Sequence, residues 1–89
     1  MLVFLDTEFT SLDEDAQLLS IALVSEKDDA VNLYREITGV SHASCDEFVL
    51  TEIIPNLSGG SCAKPLPEVA VDVWNWLEQL AAKDTIQLA

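Results

Sequence analysis

Leu2 to Leu12 reads LVFLDTEFTSL, an apolar run that passes directly into two carboxylates. A short continuous apolar run suggests a strand buried on both faces. If the strand continues through Phe9, Asp6 and Glu8 lie two residues apart and their side chains point to the same face. Two carboxylates side by side on a buried strand repel each other and lose hydration together. A divalent cation between them removes the repulsion, and hard oxygen ligands of this kind suit Mg²⁺ or Mn²⁺. A strand that ended by Leu5 would leave both groups in solvent. D-x-E is a short and frequent pattern, so its spacing leaves both readings open.

Outward from this stretch, Thr10 to Gln17 (TSLDEDAQ) is polar and acidic and reads as a loop, and Leu18 to Val24 (LLSIALV) as a second buried strand. Glu26-Lys27-Asp28-Asp29 reads as a turn. In the third strand Val31, Leu33 and Ile37 share one side and Asn32, Tyr34 and Glu36 the other, the alternation of a half-exposed strand. Three strands joined by short links suggest an antiparallel meander. Ser44 and Glu47 stand at capping-box spacing, which predicts a short helix from about Cys45 to Ile54, stopped by Pro55. Asn56 to Pro65 reads as a loop, and Pro67 suits the first turn of a second helix. From there Val69, Val73, Trp76, Leu77 and Leu80 form an amphipathic stripe. Asp84 to Ala89 reads as the beginning of a strand. A strand that breaks off after a well-formed helix suggests a fragment of a larger fold, or a short version whose last strand pairs with a partner chain.

Sixteen acidic residues stand against four basic ones in 89, a net charge of −12. That argues against a broad phosphate-gripping surface, since nonspecific nucleic-acid affinity comes mostly from Lys and Arg. An acidic protein still acts on nucleic acid when bound cations neutralise its site, and it also suits a basic protein partner. Neither a span of the roughly 18–20 apolar residues a bilayer requires nor a secretory leader is evident, so a soluble cytoplasmic protein of one domain, residues 1–89, is expected. Cys45 and Cys62 form no C-x-x-C pair and read as reduced, partly buried thiols. Asp13-Glu14-Asp15 lacks the Gly and later Glu of a calcium loop and reads as solvated. Trp74 and Trp76 could stack on bases, but their helical setting favours core packing, with Trp76 on the apolar stripe.

LVFLDTEFTSL resembles the first motif of the DEDD 3′–5′ exonucleases, an apolar strand running into D-x-E with a Leu nearby. LLSIALV looks like the second strand of the same RNase H-like sheet. Phe48 to Leu57 (FVLTEIIPNL) is similar to the helix and loop of a small exoribonuclease branch. The resemblance covers most of the chain, and within it only the first motif carries chemistry. It implies an α/β fold: an incomplete RNase H-like mixed sheet of three antiparallel strands, then two helices and a final strand parallel to the first. It implies that Asp6 and Glu8 are the first two of four acidic ligands holding two Mg²⁺ or Mn²⁺ ions that act on the 3′ end of single-stranded RNA or DNA. Backbone around Thr7 and Phe9 and the side chain of Leu12 match positions that contact the 3′-terminal nucleotide. For Phe9 and Leu12, packing beside the sheet is an equal alternative.

The family's third and fourth ligands and its general-base His or Tyr have no counterpart in this chain. Asp84 precedes the last expected strand, and His42, the only histidine, falls in a loop before the first helix. Loss of the general base alone typically costs on the order of 10²–10⁴ in rate, so this chain is expected to be inactive or weak by itself. Two other readings stand beside the exonuclease. One is an acidic interaction module, without enzymatic activity, that forms a homo-oligomer or adds a strand to a partner chain. The other is an RNase H-like nuclease of another branch.

Overall fold

A computed structural model of the protein describes residues 1–27, 32–83 and 85–88. The first three strands form the expected meander. β1 (Leu2–Phe9) runs antiparallel to β2 (Leu18–Ser25), and β2 antiparallel to β3 (Leu33–Ile37). Two short strands flank them: β4 (Ala63–Lys64) lies parallel to β3, and β5 (Gln87–Leu88) parallel to β1. The result is a mixed five-stranded sheet in the order β4-β3-β2-β1-β5. Asp28, Asp29, Val31, Asp84 and Ala89, which the sequence placed in a turn and in the third and last strands, lie outside the described residues.

One face of the sheet packs on α1 (Leu66–Ala81). The predicted stripe is the buried side of this helix: Trp76 and Leu80 meet Val3, Leu23 and Leu33 in the core, with Met1, Val73, Leu77 and Ile86 packed around them. Pro67 occupies the first helical turn, where its missing N–H costs no hydrogen bond. Asp72 pins the helix to the sheet's other end. Its Oδ2 lies 2.8 Å from both Arg35 Nε on β3 and Lys64 Nζ on β4. Lys64 first and Arg35 second hold this carboxyl below its ordinary range.

The other face is covered in part by a helical segment over residues 47–56, which is less regular than the sequence suggested. It contains a π-helical turn (Val49–Ile53) and a 3₁₀ turn (Ile54–Asn56). The proline does not end the segment. Pro55 lacks an N–H and its ring excludes regular α spacing; Ile54 N–H closes the wide turn on Val49 O, and the chain continues through Pro55 in the tighter one. The cap also differs from the expected Ser44. That residue belongs to an earlier 3₁₀ turn (His42–Ser44), where its hydroxyl donates to Ser41 O at 2.7 Å. Asp46 caps instead, its carboxylate accepting Val49 N–H at 2.9 Å.

β1 is also less buried than its composition implies. Val3 is fully buried, but Phe4 and Leu5 are nearly half exposed. α1 covers the Val3 end of the strand, and the helical segment across the other face lies nearer the carboxylates. The β1–β2 ladder shifts register between Glu8 and Phe9, which face Ser20 and Leu18, so Leu19 is an extra residue on β2.

This division of burial gives a direct test. Trp76→Ala is expected to destabilise the fold by about 3–5 kcal/mol, the usual cost of emptying an aromatic core position. Trp74→Ala, at a position 63 % exposed, should stay within about 0.5 kcal/mol of wild type. Urea unfolding of both variants decides the matter, and similar losses would refute the assignment of Trp76 as the helix's core anchor.

Candidate functional site

Register builds the site. In antiparallel pairs, directly opposed residues project to the same face. Asp6 faces Ala22, which faces Tyr34, and Glu8 faces Ser20, which faces Glu36. All six therefore share the sheet face opposite α1. The helical segment supplies the facing wall through Glu52, Ile53, Asn56 and Leu57, enclosing with Asp6, Glu8, Ser20, Ala22 and Tyr34 a cleft of about 290 Å³.

The cleft is braced at Glu36, which is 3 % exposed. One carboxylate oxygen accepts the Gly59 N–H at 2.7 Å. The other accepts the Ser58 N–H at 2.7 Å and the Tyr34 hydroxyl. Gly59 suits this role because its φ of +66° with ψ −158° is a conformation essentially restricted to glycine. Burial by itself raises the Glu36 carboxyl, but the bonds from Tyr34, Ser58 and Gly59 together outweigh it and hold the group below its ordinary range. Tyr34 moves the opposite way. Burial, then the bond to Glu36 and its negative charge, push the phenol up to about 12, against an opposing hydrogen bond from Ser20. At neutral pH the pair is a tyrosine that keeps its proton and a carboxylate without one.

Asp6 and Glu8 meet here as the sequence proposed, on one face and lining one cleft, with Glu52 on the opposite wall. None of the lining residues is basic, so an anionic group would enter only with cations between it and the carboxylates. Among the described residues no three His, Cys, Asp or Glu side chains gather closely enough to cage a metal ion. The pair fits a looser mode, in which Mg²⁺ keeps several waters and is held by one or two carboxylates together with substrate phosphate.

Thr7, Phe9 and Leu12 line an adjoining groove at the end of β1, which shares Glu8 and Ile53 with the cleft. Leu12 is fully exposed, and Phe9 is 43 % exposed. The loop carrying Leu12 is anchored by buried Thr10. Thr10 N–H donates to Gln17 O at 2.9 Å, its hydroxyl oxygen accepts Gln17 N–H at 3.0 Å, and its carbonyl accepts Asp46 N–H at 3.0 Å. His42 is exposed in its 3₁₀ turn, and Cys45 and Cys62 are free and half-buried.

Sequence reasoning missed Tyr34, Glu36, Ser20, Glu52 and Asn56 as parts of this site. Alternation did place Tyr34 and Glu36 together, but on a side expected to meet solvent. The one available hint was Ser20, a hydroxyl within the apolar run of β2.

The brace makes stability depend on pH at both ends. Because the folded Glu36 carboxyl lies below its ordinary 4.5, its contribution is complete above that value and is lost as the pH falls through the folded pKa. For Tyr34, raised from 10.0 to about 12, the contribution is complete below 10.0 and lost as the pH rises through about 12. Glu36→Gln should cost about 1.5–3 kcal/mol at pH 7, the range for hydrogen bonds to a charged group, and should flatten the acid limb. Urea midpoints measured across pH decide this; parallel acid limbs for the two proteins would refute the brace.

No protein-family model matches the chain and no curated protein matches it, so the functional reading rests on the residues of the cleft.

Proposed function

We propose that this chain carries the first metal-binding face of a metal-dependent 3′–5′ exonuclease of the DEDD type, acting on the 3′ end of single-stranded RNA or DNA. The observation that supports the reading is the pairing of Asp6 and Glu8 on one sheet face, in a cleft whose lining contains acids and no base. Bound Mg²⁺ or Mn²⁺ would supply charge neutralisation for the scissile phosphate, an activated water and stabilisation of the leaving 3′ oxygen. Asp6 and Glu8 hold and orient that charge. Glu52 adds a further acceptor from the facing wall, and Ile53 and Leu57 limit the access of bulk water. Thr7, Phe9 and Leu12 lie along the adjoining groove, where they would contact the 3′-terminal nucleotide.

Tyr34 is not a general base in this scheme, because it holds its proton up to about pH 12. His42 does not line the cleft. Hydrolysis by the 89-residue chain is therefore slow unless a second chain supplies the base and the remaining ligands. Asp6→Asn should weaken Mn²⁺ binding at least about tenfold, or roughly 1.4 kcal/mol, read from paramagnetic broadening of amide signals around the cleft. Trimming of 3′-labelled RNA or DNA in Mn²⁺, where it occurs, should disappear in the same variant. Mn²⁺ binding that is unchanged in Asp6→Asn would end the metal assignment.

A further inference from the structure

α1 is apolar over a wider arc than the sheet covers. At about 100° per residue, its buried stripe of Val69, Trp76 and Leu80 continues on one side into Leu77, Ala81 and Trp74. Asp72 faces the other way, toward β3 and β4. The apolar flank overhangs β5, the outermost strand among the described residues. There Trp74, Leu77 and Ala81 enclose a groove of about 350 Å³ with Ile86 and Leu88, and Glu78 stands at its rim. Trp74 and Leu88 are 63 % and 57 % exposed. A surface helix needs one apolar face for its own core. A second one, open and centred on a tryptophan, has the composition of a contact surface.

Beside the groove runs an open sheet edge. The Gln87 N–H donates to Met1 O at 2.9 Å, toward β1. Successive residues of a strand direct their backbone groups to alternate edges, so the Leu88 N–H points away from β1. An unpaired edge of this kind is a template for another chain. A strand added there would lie about 4.8 Å beyond β5, under the overhanging flank of α1. Its alternate side chains would enter the Trp74 groove, and the others would stand in the field of a chain with a net charge of −12. Glu78 makes no ion pair among the described residues, even with Lys83 on the next turn. A second copy would set another −12 against the first. A strand of alternating apolar and basic residues matches both the groove and the charge.

We propose that the free edge of β5 and the Trp74 groove dock an extended segment of another protein in which apolar and basic residues alternate. Backbone pairing with Leu88 supplies the register, the apolar side chains pack on Trp74, Leu77 and Ala81, and a cation of the partner meets Glu78. The groove lies on the sheet face opposite the carboxylates, and the proposal does not rest on the exonuclease reading.

A capped peptide of alternating Val and Lys, titrated into the full chain and followed by NMR, tests the surface. Saturable shifts are expected at the Trp74 indole and the Leu88 amide. Trp74 lies outside the core, so Trp74→Ala leaves the fold intact, and it should weaken binding at least about tenfold. A peptide of alternating Val and Glu should bind at least about tenfold more weakly than the basic one. Leu88→Pro removes the outward N–H without touching the β1 ladder. It should bind about two- to tenfold more weakly than Leu88→Ala, which removes the side chain alone. No saturable shift, or equal binding of the two peptides, would overturn the proposal. Equal affinities of Leu88→Pro and Leu88→Ala would replace strand addition by side-chain docking, as of a helix. Self-association of the chain in sedimentation, with the same shifts in the absence of peptide, would make a second copy the occupant instead.

Discussion

The buried carboxylate of Glu36 is the constraint on which the cleft depends. An ionised group at 3 % exposure is tolerated only when its lost hydration is replaced by well-placed donors. The donors come from different parts of the chain: the Tyr34 hydroxyl two residues along the same strand, the N–H groups of Ser58 and Gly59 beyond the helical segment, and, as the smallest contribution, the Cys62 thiol. Satisfying Glu36 therefore brings the chain after the facing wall down onto β3. Besides this tie, residues 47–57 are held by buried Val49, by half-buried Ile53, Ile54 and Leu57, and by the contact of Asp46 N–H with Thr10 O. A polar tie suits a small domain with few apolar residues to place on its second face.

Much of the framework was legible in the sequence because periodicity carries it. The apolar runs of β1 and β2, the alternation of β3 and the stripe on α1 identify the main elements, and the last strand lies parallel to the first as expected. Asp6 and Glu8 were legible as a pair because two residues is the strand period. What escaped depends on register and on distant partners. β4 is two residues long and shows no period; pairing of Ala63 and Lys64 with Glu36 and Ile37 creates it. Alternation could group Tyr34 with Glu36, but only the alignment across β2 sets them opposite Ala22 and Ser20, in line with the carboxylates. Glu36 reads as a surface residue because its donors are backbone groups, whose placement no side-chain pattern reveals.

Charge is distributed to match. Two of the chain's four basic residues, Arg35 and Lys64, converge on Asp72 on the helix side of the sheet. The opposite face holds Asp6, Glu8 and Glu52 with no basic residue among those lining the cleft. The two faces of one sheet thus differ in electrostatic character: one is neutralised internally, while the other leaves its negative charge to be met from outside. Mobile counterions would collect at the second face, and added salt would screen it more strongly than the first.

Tyr34 is the only tyrosine in the chain, and this has an optical consequence. The ultraviolet change that accompanies phenolate formation arises from one side chain, the one fixed to Glu36. A normal tyrosine ionises near 10.0, whereas this one is held up to about 12. An alkaline absorbance titration thus follows a single hydrogen bond in the folded protein, and the interval between the two values is a spectroscopic window on whether the wall of the cleft is closed. Trp74 and Trp76 give no such local signal, because both sit on α1, across the sheet from the cleft.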